Sequence, residues 1–119
     1  MNIQNIVKEI KKENRYERAQ IKKRIGKAIK EIEKLKEDFL DIDENIDKII
    51  LFGSLAENSI ESIDFDIDLA VRSDKYYQLT AAALKSEFKV DVVDLDNVHE
   101  RIKQSILEYG KVIYEKRQG

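Results

Sequence analysis

The sequence predicts a mixed α/β (α+β) fold: a small sheet of about three to four strands with helices packed on it, preceded by a long N-terminal helix or helix pair. Three observations carry that prediction. Apolar residues between positions 2 and 40 recur at spacings of three and four, the period of a helix. From Asp64 to Leu69 acids alternate with Phe65, Ile67 and Leu69, the period of a strand. Between them, the apolar run Ile49-Ile50-Leu51-Phe52 ends abruptly at Gly53-Ser54.

Taken in order, Ile3, Ile6, Val7 and Ile10 form one helical stripe. Ile21, Ile25, Ala28, Ile29, Ile32, Leu35 and Phe39 form another. Both are expected as core faces rather than as a coiled-coil seam. Asn14 marks either a break between two helices or an ordinary position in one. Gly26 costs about 1 kcal/mol against alanine in a helix interior, so it is expected to mark close helix packing. Asp41 to Asn45 is a polar turn.

Ile46 to Phe52 reads as a strand buried on both sides. Gly53 to Ser62 follows as a loop, and Phe65 to Val71 as a second strand. Ser73 or Asp74 can cap a helix reaching to about Glu87. Lys89 to Leu95, with Val90, Val92 and Val93, is a third strand. Asp96 or Asn97 can cap a last helix through Ile102, Ile106 and Leu107. Gly110 is its expected C-cap, and Val112-Ile113-Tyr114 is a short apolar tail. The division expected is one domain over 1–119, with a helical extension at 1–40 and a core at 46–114.

The 119 residues are 42% apolar, enough for one core. There is no cysteine, hence no disulfide framework, thiolate nucleophile or cysteine zinc site. No stretch approaches the roughly 20 apolar residues of a membrane span. The charged N-terminus lacks the apolar core of a signal peptide. A soluble, cytoplasmic protein is expected. Net charge is −2 but uneven. Residues 1–36 carry twelve Lys/Arg against five acids, and residues 37–68 carry eleven acids against one lysine. That acidic band surrounds Asp66 and Asp68, although Asp41, Asp43 and Glu44 are expected as solvated loop residues.

Side chains i and i+2 of a strand share a face, about 7 Å apart. Asp66 and Asp68 held that way repel one another unless a positive charge intervenes. Oxygen-only ligands favour Mg²⁺ or Mn²⁺. A glycine turn lets backbone approach closely, and successive turn amides can hold phosphate oxygens. A phosphate cradle beside a carboxylate metal site is equipment for nucleotidyl transfer.

Gly53-Ser54, eleven intervening residues and then Asp66-Ile67-Asp68-Leu69 resembles the signature of the DNA-polymerase-β-like nucleotidyltransferase superfamily. The short chain resembles its minimal nucleotidyltransferases, the MntA-like antitoxin group, over roughly residues 46–114. The resemblance implies the nucleotidyltransferase fold, ATP as substrate and Mg²⁺ or Mn²⁺ as cofactor. It makes Asp66, Asp68 and Asp91 the catalytic and metal-binding acids, with Asp91 as second-metal ligand or general base. It makes Gly53 and Ser54 the nucleotide-binding residues. Asp94 is the alternative third acid, although its odd spacing from Asp91 sets it on the other face. Asp64-Phe65-Asp66-Ile67 is the alternative register. Asp66 and Asp68 are chosen because Leu69-Ala70-Val71 continues as the family's apolar strand does. One departure stands out: Leu55-Ala56-Glu57-Asn58 replaces the Ala-Arg-Gly stretch common after Gly-Ser, setting an acid near the triphosphate.

The other candidates are weaker. His99, the lone histidine, is expected as a solvated surface residue and supports no Ser-His-Asp set. The tyrosines are too scattered for a base-stacking platform. The basic helix from Arg15 to Lys36 is interspersed with glutamates, so direct nucleic-acid binding is not expected. The reading favoured is an adenylyltransferase, and the resemblance to the MntA-like group implies as its acceptor a tyrosine of a partner HEPN-domain toxin, as in a type VII-like antitoxin. The alternative is a non-catalytic module of the same fold that neutralises or scaffolds its partner. The oligomeric state is left open, a homo-oligomer included.

Overall fold

The computed structural model describes residues 3–117; the side chains of 9–13, Ile10 among them, lie outside the described residues. The chain runs α1 (Ile3–Ile42), β1 (Lys48–Phe52), α2 (Gly53–Ala56), β2 (Ile67–Arg72), α3 (Tyr76–Ala83), β3 (Val90–Asp94), α4 (Glu100–Tyr109) and β4 (Lys111–Glu115). One sheet orders its strands β3-β2-β1-β4. β1 pairs antiparallel with β2 and β4, while β2 and β3 are parallel. A parallel pair needs a crossover between its strands, and α3 supplies it.

The two faces of the sheet are filled differently. Ile49, Leu51, Ile67, Leu69 and Val71 point to one side. They pack there against Ala28, Ile32, Leu35 and Phe39 of α1 and Leu79 and Ala83 of α3. Ile50 and Ala70 point to the other side, against Leu95 and Ile106, with Phe52 and Val93 at the margin. Ile49 to Leu51 are therefore buried on both sides, as their apolar run predicts. The apolar tail after Gly110 is a fourth strand, whose register with β1 slips between Ile49 and Ile50.

Helix α1 is one unbroken helix through Asn14. Its 40 residues span about 60 Å at 1.5 Å per residue, and the molecule measures 66 × 29 × 25 Å. Among the described side chains, those that pack on the sheet come from its C-terminal half. Ile3, Ile6 and Val7 of the first stripe are exposed rather than core, as is Ile29 of the second stripe. Gly26 does not mark close packing, since a Cβ there would meet nothing within 4 Å. Asp43 is not a solvated acid. It is buried, accepting the amide of Asn45 at 2.9 Å and the hydroxyl of Ser73.

Several boundaries move for local hydrogen-bonding reasons. Helix α3 stops at Ala83 rather than near Glu87. The hydroxyl of Ser86 accepts the amide of Phe88 and lies 3.1 Å from Glu31 of α1. This turn delivers Phe88 beneath Arg24, whose guanidinium sits 3.9 Å from the ring centroid. Helix α4 starts later than Asp96 or Asn97 would cap it. The Asp94 carboxylate takes the Asp96 amide and the Asn97 side chain, closing an Asx turn instead. His99 is exposed and caps α4, its Nδ1 accepting from the Arg101 amide at 3.2 Å. Gly110 ends α4 in extended rather than left-handed conformation. Glycine is needed there because a Cβ would overlap the Ile106 carbonyl and the Ile50 side chain.

Candidate functional site

β1 hands directly into α2, with no intervening loop. Gly53 adopts φ +76°, a left-handed conformation open to glycine at little cost. A Cβ at Gly53 would overlap the Asp68 carboxylate. The turn is thus folded down against the acid. Asn58, at φ 55°, ends the short helical segment in the left-handed region that asparagine tolerates. Leu55 to Asn58 therefore form a helical turn and its stop, where a loop through Ser62 was expected. The Ser54 carbonyl accepts the Ser59 amide at 2.9 Å. Its hydroxyl has no hydrogen-bond partner among the described residues.

Sheet register places the acids. Phe52 pairs with Asp68 across β1 and β2, and Asp68 pairs with Asp91 across β2 and β3. Asp68 and Asp91 are direct neighbours on the face that α4 covers, just beyond the edge of its packing. Asp66 immediately precedes β2, and its carboxylate lies 3.6 Å from the Lys89 ammonium. The Asp68 carboxyl is pushed up to about 6 from the ordinary 3.8. Burial is the largest cause, followed by the Asp91 and Asp66 charges and a hydrogen bond with Asp91; Lys89 opposes them. Asp91 and Asp66 thus both act on the charge of Asp68. Among the described residues, however, no three His, Cys, Asp or Glu side chains converge closely enough to hold a metal ion as they stand. The donor chemistry is still that of a hard-cation site, all carboxylate oxygen with surplus negative charge.

The alternatives fall elsewhere. Asp94, at the end of β3, spends both carboxylate oxygens on the turn before α4. Asp64 is exposed in the preceding loop and borders a hollow with Gln20, Lys23, Arg24 and Lys27 of α1. The acid trio of Asp66, Asp68 and Asp91 and the turn Gly53-Ser54 share one end of the sheet. Beside them, a cleft of about 350 Å³ is lined by Phe52, Gly53 and Glu57 and by the α4 side chains Arg101, Ile102, Ser105, Ile106 and Tyr109. Arg101 is not distinguished by any motif in the sequence. The available signal was spacing: 101, 105 and 109 lie on one face of the predicted last helix. A larger hollow of about 690 Å³ between α3 and the end of β3 includes none of the three acids.

The family described as polymerase beta, nucleotidyltransferase matches residues 30–119. No curated protein matches the chain. Among solved structures, a crystal structure of a toxin–antitoxin with AMP-PNP is 24% identical at TM-score 0.58, over 71% of this chain and 74% of that one. A mutant of the toxin–antitoxin MntA–HpeT is 26% identical at TM-score 0.54, over 74% and 72%. A second MntA–HpeT mutant is 23% identical at TM-score 0.55, over 74% and 73%.

Proposed function

The chain belongs to the polymerase-beta nucleotidyltransferase family, and from that membership we propose that it transfers AMP from ATP to a hydroxyl of a partner protein, releasing pyrophosphate. The observation that carries the proposal is the pairing of Asp68 with Asp91, beside Asp66 and directly under the Gly53 turn. The likeness to an MntA–HpeT toxin–antitoxin structure supports an antitoxin role. A toxin is then the partner, and a tyrosine of a HEPN-domain toxin is the acceptor we propose.

In this reading the backbone amides of Gly53 and Ser54, with the free Ser54 hydroxyl, bind the β- and γ-phosphates. Asp66, Asp68 and Asp91 would hold Mg²⁺ or Mn²⁺. A divalent cation there supplies charge neutralisation at the phosphoryl oxygens and lowers the pKa of an oxygen bound to it. Asp91, the most exposed of the trio, takes the proton as the acceptor oxygen attacks the α-phosphorus and the bond to pyrophosphate breaks. Phe52 and Ile106 form the apolar floor beside the turn.

The test uses labelled ATP, Mg²⁺ and the product of the adjacent gene. Label is expected on a partner tyrosine. Asp68→Asn is expected to slow transfer by about a hundred- to a thousandfold, on the scale of removing a key electrostatic group, while leaving the complex intact. Neutralisation of the partner without label, unchanged in Asp68→Asn, would overturn the enzyme reading in favour of a stoichiometric binding module.

A further inference from the structure

We propose that Arg101 of α4 is the cation that binds the nucleotide's triphosphate from across the Gly53 turn. The inference rests on the proposed nucleotidyl transfer and names a residue that the reading does not yet use.

Charge balance motivates it. A nucleoside triphosphate is strongly anionic, yet this end of the sheet presents Asp66, Asp68 and Asp91, and the helical turn after Gly53 adds Glu57. Turn amides offer only partial positive charge. The described residues bring Lys89, Lys111 and Arg101 to this end of the sheet, and Lys111, opposite Leu51 at the start of β4, does not line the cleft. Lys89 is already ion-paired to Asp66 at 3.6 Å. Arg101 lines the cleft with Gly53 and Glu57, and its guanidinium has no ion-pair partner among the described residues.

Local structure fixes where Arg101 stands. Its amide is tied to His99 Nδ1 at the start of α4. Ile106, one helical turn and a residue later, is buried against Ile50 and Ala70 and anchors the helix. Arg101, Ser105 and Tyr109 follow one another at i, i+4 and i+8 along the cleft wall. A planar, permanently charged guanidinium suits bidentate contact with phosphate oxygens. The site's chemistry is thus divided: carboxylates on the sheet, amides and a hydroxyl on the turn, and the cation on α4.

Calorimetric titration of the full chain with Mg·ATP and with AMP tests this. Arg101→Ala is expected to weaken Mg·ATP binding about tenfold or more, the scale of a lost charge-assisted hydrogen bond. AMP, which lacks the β- and γ-phosphates, should bind within twofold of the wild type, and Arg101→Lys should recover part of the Mg·ATP loss. Lys103→Ala removes the same charge two residues away, outside the cleft lining, and should change nothing. Wild-type uptake of Mg·ATP that survives Arg101→Ala overturns this inference and leaves nucleotidyl transfer standing. An equal loss in Lys103→Ala, or an equal loss for AMP, also overturns it. Failure of the wild-type chain to take up Mg·ATP overturns both proposals together.

Discussion

The two faces of the sheet make opposite uses of the same strands. Toward α1 and α3 the β1 and β2 side chains are Ile49, Leu51, Ile67, Leu69 and Val71, all buried in one apolar cluster. Toward α4 the same strands offer Ile50 and Ala70, and then Phe52 and Asp68 at the open end. One face gains burial free energy along its whole length. The other is covered over half its length and places repelling carboxylates where the cover ends. Strand alternation lets one sequence do both, because Leu69 and Asp68 differ only in which way they point. Continuous burial lies on the closed face, and the proposed chemistry on the open one.

The largest expected effect separates the faces directly. Phe39 is fully buried in α1 against the closed face. Phe39→Ala should cost about 3–5 kcal/mol, from lost transfer free energy plus the cavity left behind. Asp68→Asn on the open face should not destabilise the fold at neutral pH, because it relieves repulsion with Asp91 and Asp66. Denaturant unfolding of both variants checks this, and the contrast fails if Asp68→Asn costs as much as Phe39→Ala.

The closed face was legible in the sequence and the open face only in part. Period-two alternation through Ile67 and Leu69, and the run Ile49 to Leu51, announced both strands and their burial, although β2 begins at Ile67 rather than at Phe65. The spacing from Gly53-Ser54 to Asp66 and Asp68 pointed to the end of the sheet where the acids lie. What sequence could not show was which neighbour each residue would meet. Ile3, Ile6 and Val7 have the same helical spacing as Ile32, Leu35 and Phe39, but the first group lies beyond the reach of the sheet. Asp43 reads as one more acid of a polar turn until Ser73, thirty residues away, closes on it. Arg101 gains its place only from the packing of α4 across β1, a long-range contact that helical period alone does not reveal.

A smaller effect follows from the charge on the open face. The Asp68 carboxyl titrates near 6 in the folded chain against the ordinary 3.8, so the folded state holds this proton more firmly than the unfolded one. The associated stability is present below about pH 4 and is lost as pH rises through about 6. Since other carboxylates titrate nearby, the useful quantity is the difference between wild type and Asp68→Asn, in which this proton is absent. The stability of Asp68→Asn relative to wild type should grow between pH 4 and pH 6 and level off above. A flat difference would mean that neither burial nor the Asp91 and Asp66 charges raise the Asp68 carboxyl. Added Mg²⁺ should reduce the wild type's loss on the alkaline side, whereas Asp68→Asn should respond less.

The smallest expected effect tests the division within α1 between the half that meets the sheet and the half that does not. Gly26 lies at the junction, exposed, in regular helix and with open space where a Cβ would be. Nothing in its surroundings demands glycine: its φ is not left-handed, no neighbour approaches, and no turn interrupts the helix. Gly26→Ala should therefore stabilise the chain by about 0.5–1 kcal/mol, mainly by reducing the entropy lost on folding. A thermal shift upward of a few degrees would register it. Should the variant instead lower stability or loosen a complex with the partner, something must approach the helix at Gly26 in the assembled state. The open space there would then be an interface rather than a solvated surface, and the protruding half of α1 would join the working parts of the molecule.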